Sequence, residues 1–133
     1  MKKIEHIGIA VQNIEASNKL FAKIFGKPPF KSEKVKSEGV VTSFFEIGDS
    51  KIELVAATTE QSPIFKYLEK RGGGMHHVAF AVEDIEKEMT RLKQEGIRLL
   101  NESPKAGADN KIICFLHPQD TNGVLVELCQ EIK

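Results

Sequence analysis

Four residues carry the chemistry that this sequence offers: His6, Glu53, His77 and Glu127. The two histidines head closely similar segments, HIGIAVQNIE at 6–15 and HVAFAVEDIE at 77–86. His, Ala, Val, Ile and Glu recur there in register, with conservative changes between. The two glutamates form a second matched pair, in KIELV at 51–55 and LVELC at 125–129. Each is a carboxylate inside an otherwise apolar strand. Burying an unpaired carboxylate is costly, so equivalent burials in both repeats call for something positive beside them. Two imidazoles and two carboxylates suit a borderline-to-hard divalent cation. A single strand histidine is more often an ordinary residue than a ligand; the repetition of both residue types at equivalent places is what makes the metal reading specific.

The stretch MHHVAFAV at 75–82 holds two adjacent histidines, but neighbouring side chains on a strand point to opposite faces. The repeat matches His6 with His77, which leaves His76 turned away from the proposed site as a structural residue. His117, in HP, is read the same way.

The elements that must position these residues follow from hydrophobic period. Each repeat starts as a strand and changes to helical spacing after Val11 and Val82. Asn13 and Asp84 are N-cap residues. Leu20, Phe21, Ile24 and Phe25 form one helical stripe, ended by Gly26; Ile85, Met89 and Leu92 form the other, ended by Gly96. GVVTSFFEIG at 39–48 and SKIELVAA at 50–57 flank Gly48-Asp49, a hairpin signal. KIICFLHP at 111–118 and GVLVELCQ at 123–130 flank the turn residues 119–122. A weaker strand precedes each hairpin, PFKSEKV in the first half and IRLLNES in the second. The pattern is βαβββ, twice. Between the halves Ser62 caps a helix, Pro63 takes its first position and Gly72 to Gly74 end it. The expected organisation is one α+β domain over 1–133, with modules at about 1–60 and 75–133 and a linker helix at about 62–72, since neither half is large enough to bury a core alone.

With 133 residues, 41% of them hydrophobic, the chain has material for a sizeable core. The 19 basic and 19 acidic residues balance, which leaves no electrostatic footprint for nucleic acid or an anionic membrane. There is no apolar run of about 18 residues and no signal-peptide pattern, so a soluble, cytoplasmic protein is expected. Cys114 and Cys129 are read as reduced core residues.

IEHIGIAV, SPIFKYLEKRGGGMHHVAFAV, ESPKAGADNKIICFLHP and GVLVELCQ, which together span nearly the whole chain, resemble the vicinal oxygen chelate (glyoxalase/bleomycin resistance/dioxygenase) superfamily, and within it the methylmalonyl-CoA epimerase family. The resemblance implies two βαβββ modules whose mixed sheet curls around one divalent metal ion, in a homodimer. It implies ligation by His6, Glu53, His77 and Glu127, with cobalt, nickel, manganese, zinc and magnesium all open. The implied reaction interconverts (2R)- and (2S)-methylmalonyl-CoA through an enolate, on a small-molecule acyl-CoA substrate. Inversion needs proton exchange on both faces of C2. The resemblance gives one face to Glu127. Some family members carry a second glutamate where this chain has Thr42, a poor base, and Glu46, four residues on, is the replacement candidate. Lys105 and Lys111 are the cations expected near the coenzyme A handle.

Three rivals stand beside this reading. Glyoxalase I, of the same superfamily, uses a similar donor set, but the HH and FLHP stretches favour the epimerase family. A metal-free binding or resistance protein of the same fold would lack the four donors. A two-histidine, one-carboxylate dioxygenase is disfavoured by the fourth donor, Glu53.

Overall fold

In the computed structural model, which describes residues 1–133, the chain divides into two compact units, Ile7–His76 and Met1–His6 with His77–Lys133. The division falls inside the two strands that begin the repeats, β1 (Lys3–Ala10) and β5 (Gly74–Ala81). Each unit has the strand–helix–three-strand order expected from the repeat.

In the unit Ile7–His76, helix α1 (Ile14–Phe25) starts where the Asn13 side chain accepts a hydrogen bond from the Ala16 amide at 2.9 Å. It stops at Gly26, whose φ of 74° is the left-handed conformation glycine favours at a helix end. Strands β2 (Lys31–Val35), β3 (Val40–Ile47) and β4 (Ser50–Ala57) pair antiparallel in sequence order. The β3–β4 hairpin turns at Gly48-Asp49 as its dipeptide predicts, with Gly48 at φ 59°. The remaining part of β1 joins β4 through the bond from the Val11 amide to the Val55 carbonyl at 2.9 Å. One face of this sheet packs Phe45, Leu54 and Ala56 under Ile14, Phe21 and Phe25 of α1. Helix α2 (Pro63–Arg71) begins at Ser62 and lays Ile64 and Leu68 on Val40 and Val55. Phe45 is fully buried and its ring meets that of Phe25 at 5.2 Å between centroids. Phe45→Ala should cost about 3–5 kcal/mol through lost burial and the residual cavity, measured by equilibrium denaturation.

In the other unit the start of β1 lies beside β5, which pairs in parallel with β8 (Val126–Glu131). Strand β7 (Lys111–Phe115) pairs antiparallel with β8, and β6 (Lys105–Ala106) with β7. Helix α3 (Ile85–Gln94), capped by Asp84, buries Ile85, Met89 and Leu92 against Cys114, Leu116 and Leu128. These are the apolar positions its period selects.

Two expectations require correction. IRLLNES is not the strand before the second hairpin: Leu99 makes only an isolated bridge to Leu116, and the two-residue strand lies later, at Lys105–Ala106. Asn101 is the physical reason. Its side-chain oxygen accepts from the Phe115 amide at 3.0 Å and its amide donates to the Ser103 carbonyl at 2.8 Å. The side chain thereby takes the place of a strand backbone at the edge of β7. The last strand also starts three residues later than GVLVELCQ suggests, because Asn122 and Gly123 both adopt positive φ, at 57° and 82°.

The connection before β8 is held by Arg98, whose backbone amide and guanidinium both donate to the Asp120 carboxylate at 2.8–3.0 Å. Those bonds hold the Asp120 carboxyl at about 2, below its ordinary 3.8. A depressed folded-state value means that ionised Asp120 contributes stability above its unfolded value and loses it as pH falls through the folded one. The stability gap between the wild type and Asp120→Asn should therefore be present at neutral pH and narrow between about pH 4 and pH 2; urea denaturation across that range reads it.

Candidate metal centre

Strand register brings three of the expected donors together. On β5 and β8, Ala79 pairs with Glu127. His77 lies two residues before Ala79 and so projects from the same face as Glu127. Just before β1, the Lys2 amide donates to the Ala81 carbonyl at 2.8 Å. Four residues further along β1 and four back along β5 lie His6 and His77. The numbers of both residue pairs sum alike, as antiparallel strands require. The histidine rings meet edge to face, with centroids 5.2 Å apart.

The result is a compact donor group. One ligand atom each from His6, His77 and Glu127 can be chosen so that all lie within 4.8 Å of one another. The two Nε2 atoms are 3.1 Å apart. Glu127 Oε1 lies 3.4 Å from His77 Nε2, and its Oε2 lies 3.7 Å from His6 Nε2. All three side chains are buried, at 5–9% exposure. Two imidazole lone pairs at 3.1 Å repel unless a proton or a cation lies between them. Two nitrogens bound at a right angle to one cation, each about 2.1 Å from it, stand about 3.0 Å apart. The observed separation therefore fits adjacent ligands of a divalent ion, and the mixed nitrogen–oxygen donor set suits one.

The remaining sequence candidates have varied surroundings. Glu53 is buried on β4 opposite Phe44, in the unit Ile7–His76. The Thr42 hydroxyl is buried and donates to the Glu33 carbonyl at 3.4 Å, a structural role. Glu46 is exposed near the end of the β3–β4 hairpin, paired in register with Lys51. Lys111 is not an open cation: it is buried, and its ammonium donates to the Asp109 carbonyl at 3.1 Å with the Asp109 carboxylate at 3.5 Å. Lys105 is exposed and stands 5.8 Å over the Phe115 ring, which in turn lies 6.1 Å from that of His77. His76 packs its ring on Tyr67, centroids 4.9 Å apart, and His117 caps the turn at 118–120 by accepting from the Gln119 amide. Both cysteines are buried and unbridged, and burial pushes the Cys114 thiol up, away from reactivity.

One residue beside the donors escaped the sequence reading. Glu5, at 4% exposure, places Oε1 3.4 Å from His6 Nδ1. Alternation along a strand assigns adjacent residues to opposite faces, which hides such a contact. The usable signal was a charged residue directly before a candidate ligand histidine.

Residues 5–115 match the family model of the Glyoxalase/Bleomycin resistance protein/Dioxygenase superfamily. The chain belongs to this superfamily. One relative of this superfamily member is the ethylmalonyl-CoA/methylmalonyl-CoA epimerase of Cereibacter sphaeroides, 40% identical over 96% of this chain and 97% of the relative. Another is the mitochondrial methylmalonyl-CoA epimerase of Dictyostelium discoideum, 38% identical over 95% of this chain and 76% of the relative. Among solved structures, a variant of the Streptomyces coelicolor methylmalonyl-CoA epimerase in complex with 2-nitronate-propionyl-CoA superposes with a TM-score of 0.95. It shares 33% identity and is covered over 98% of this chain and 95% of that one. The superfamily member thus has the glyoxalase-like fold that the family resemblance implied, and it has no helix long and apolar enough to cross a membrane.

Proposed function

We propose that the chain is a divalent-cation-dependent methylmalonyl-CoA epimerase. The observation that carries this reading is the buried group of His6, His77 and Glu127 in a chain that matches proteins named as methylmalonyl-CoA epimerases along nearly its full length. His6 and His77 as neutral imidazoles and Glu127 as a carboxylate would hold the cation. Glu53 would be the fourth donor; for that residue the support is the sequence repeat, which makes it the equivalent of Glu127. When bound, such a cation supplies Lewis-acid stabilisation of the negative charge that develops as the C2 proton leaves.

The chain's own residues then have distinct tasks. Burial of the three donors excludes bulk water, which strengthens every charge interaction made there. Glu127 presents a carboxylate oxygen beside the donor nitrogens and would take the proton from one face of C2 and return it. Inversion needs a second proton carrier on the opposite face. Thr42 is committed to the Glu33 carbonyl, so the proposed carrier is Glu46, an exposed carboxylate that bound substrate would have to cover. Glu46→Gln should then keep deuterium exchange at C2 of one epimer and lose interconversion. Unchanged interconversion would remove Glu46 from the mechanism. Lys105, above Phe115, would be the cation beside an anionic substrate group. A homodimer is the arrangement the family resemblance implies, and the cytoplasm is the proposed location.

The substrate is tested by offering the purified protein (2S)-methylmalonyl-CoA and, separately, the glutathione–methylglyoxal hemithioacetal. Conversion of the first alone is expected. Turnover of the second alone would make the protein a glyoxalase, and turnover of neither would favour a binding protein of the same fold.

A further inference from the structure

The contact between Glu5 and His6 has a use that the donor list does not capture. A histidine that binds a cation through Nε2 must carry its proton on Nδ1, and the group that accepts the Nδ1–H fixes both tautomer and ring direction. In this chain the group facing His6 Nδ1 is a carboxylate oxygen of Glu5, at 3.4 Å, with both side chains at 6–7% exposure. The same ring directs Nε2 to within 3.1 Å of His77 Nε2. Thus one imidazole has an acidic partner on one nitrogen and the donor group on the other.

The two repeats differ at this point. The residue preceding His77, equivalent to Glu5, is His76, whose ring packs on Tyr67. An ionised glutamate this buried is expensive unless it is hydrogen-bonded or paired. An imidazole N–H offers such a bond, and a cation bound at Nε2 would strengthen it by making the ring more acidic.

We propose that Glu5 is a positioning residue: its carboxylate accepts from His6 Nδ1–H, holds His6 in the Nδ1–H tautomer and thereby keeps Nε2 as the cation-facing nitrogen. This rests on the metal reading above and adds to it a residue that does not itself bind the ion.

The test uses Glu5→Gln, which keeps side-chain volume, and Glu5→Ala. The metal-free proteins are compared by long-range ¹H–¹⁵N spectra of the histidine rings, and cobalt(II) binding is then titrated by its visible absorption. In the wild type, His6 should show a protonated Nδ1 and a bare Nε2; in Glu5→Ala it should move toward the Nε2–H form. Cobalt affinity should fall about 10–100-fold in Glu5→Ala and by less in Glu5→Gln, whose amide oxygen still accepts. Band intensity at saturation should be unchanged, because the number of donors is the same. Both variants binding cobalt within about twofold of a cobalt-binding wild type, with the His6 tautomer unchanged, would overturn the proposal while leaving the metal reading in place. A changed saturated spectrum in Glu5→Gln would also overturn it, by making Glu5 a ligand. A wild type that takes up no cobalt would overturn the metal reading itself, and this inference with it.

Discussion

His77→Ala should abolish epimerase activity and cation binding together, while the neighbouring His76→Ala leaves cation binding largely intact. The two residues are adjacent and chemically identical, so their contrast isolates geometry. His77 Nε2 lies 3.1 Å from His6 Nε2 and 3.4 Å from Glu127 Oε1. Its removal takes one of three converging donors and leaves Glu127 a buried carboxylate with one imidazole fewer beside it. Several kcal/mol of transition-state stabilisation depend on a retained cation, and at about 1.4 kcal/mol per tenfold this is a loss of about a thousandfold or more. His76 instead packs on Tyr67, so its loss is felt as local packing. Metal content after dialysis, together with turnover, checks both. Equal metal loss in the two variants would contradict the face assignment.

Glu127→Gln should have the second-largest effect, of a different kind. Glutamine keeps the volume and one acceptor oxygen, so the fold and part of the donor set persist. It removes the negative charge that balances a bound cation and the group proposed to carry the C2 proton. Loss of a general base lowers turnover by about 10²–10⁴-fold. Because both roles sit on one carboxylate, kcat should fall further than metal occupancy measured in the same sample. If saturating metal restores wild-type turnover in Glu127→Gln, the residue is a ligand only and the proton is moved by another group.

Much of this centre was legible in the sequence because the chain repeats itself. Aligning HIGIAVQNIE with HVAFAVEDIE separates His77 from His76 without coordinates, and strand alternation then orients them. The period change after Val11 and Val82 placed α1 and α3, and Asn13 and Asp84 do cap them. The less legible parts depend on side chains standing in for backbone. Asn101 bonds to the Phe115 amide and so displaces a strand that propensity puts at 97–103. Lys111, which reads as a loop cation, is buried against Asp109. Glu5 was invisible for a third reason: the alternation that correctly turns His76 away from His77 also predicts that Glu5 and His6 part company. A glutamate is long enough to bring its carboxylate back to the ring beside it.

The most direct measurement is deuterium uptake at C2 of (2S)-methylmalonyl-CoA in heavy water, followed by NMR with chelator-stripped protein and again after a divalent metal is restored. Cation-dependent epimerisation at His6, His77 and Glu127 predicts no exchange above background in the stripped protein. On restoration it predicts rapid exchange, with appearance of the 2R epimer. Equal exchange with and without metal, or no exchange in either sample, would contradict it.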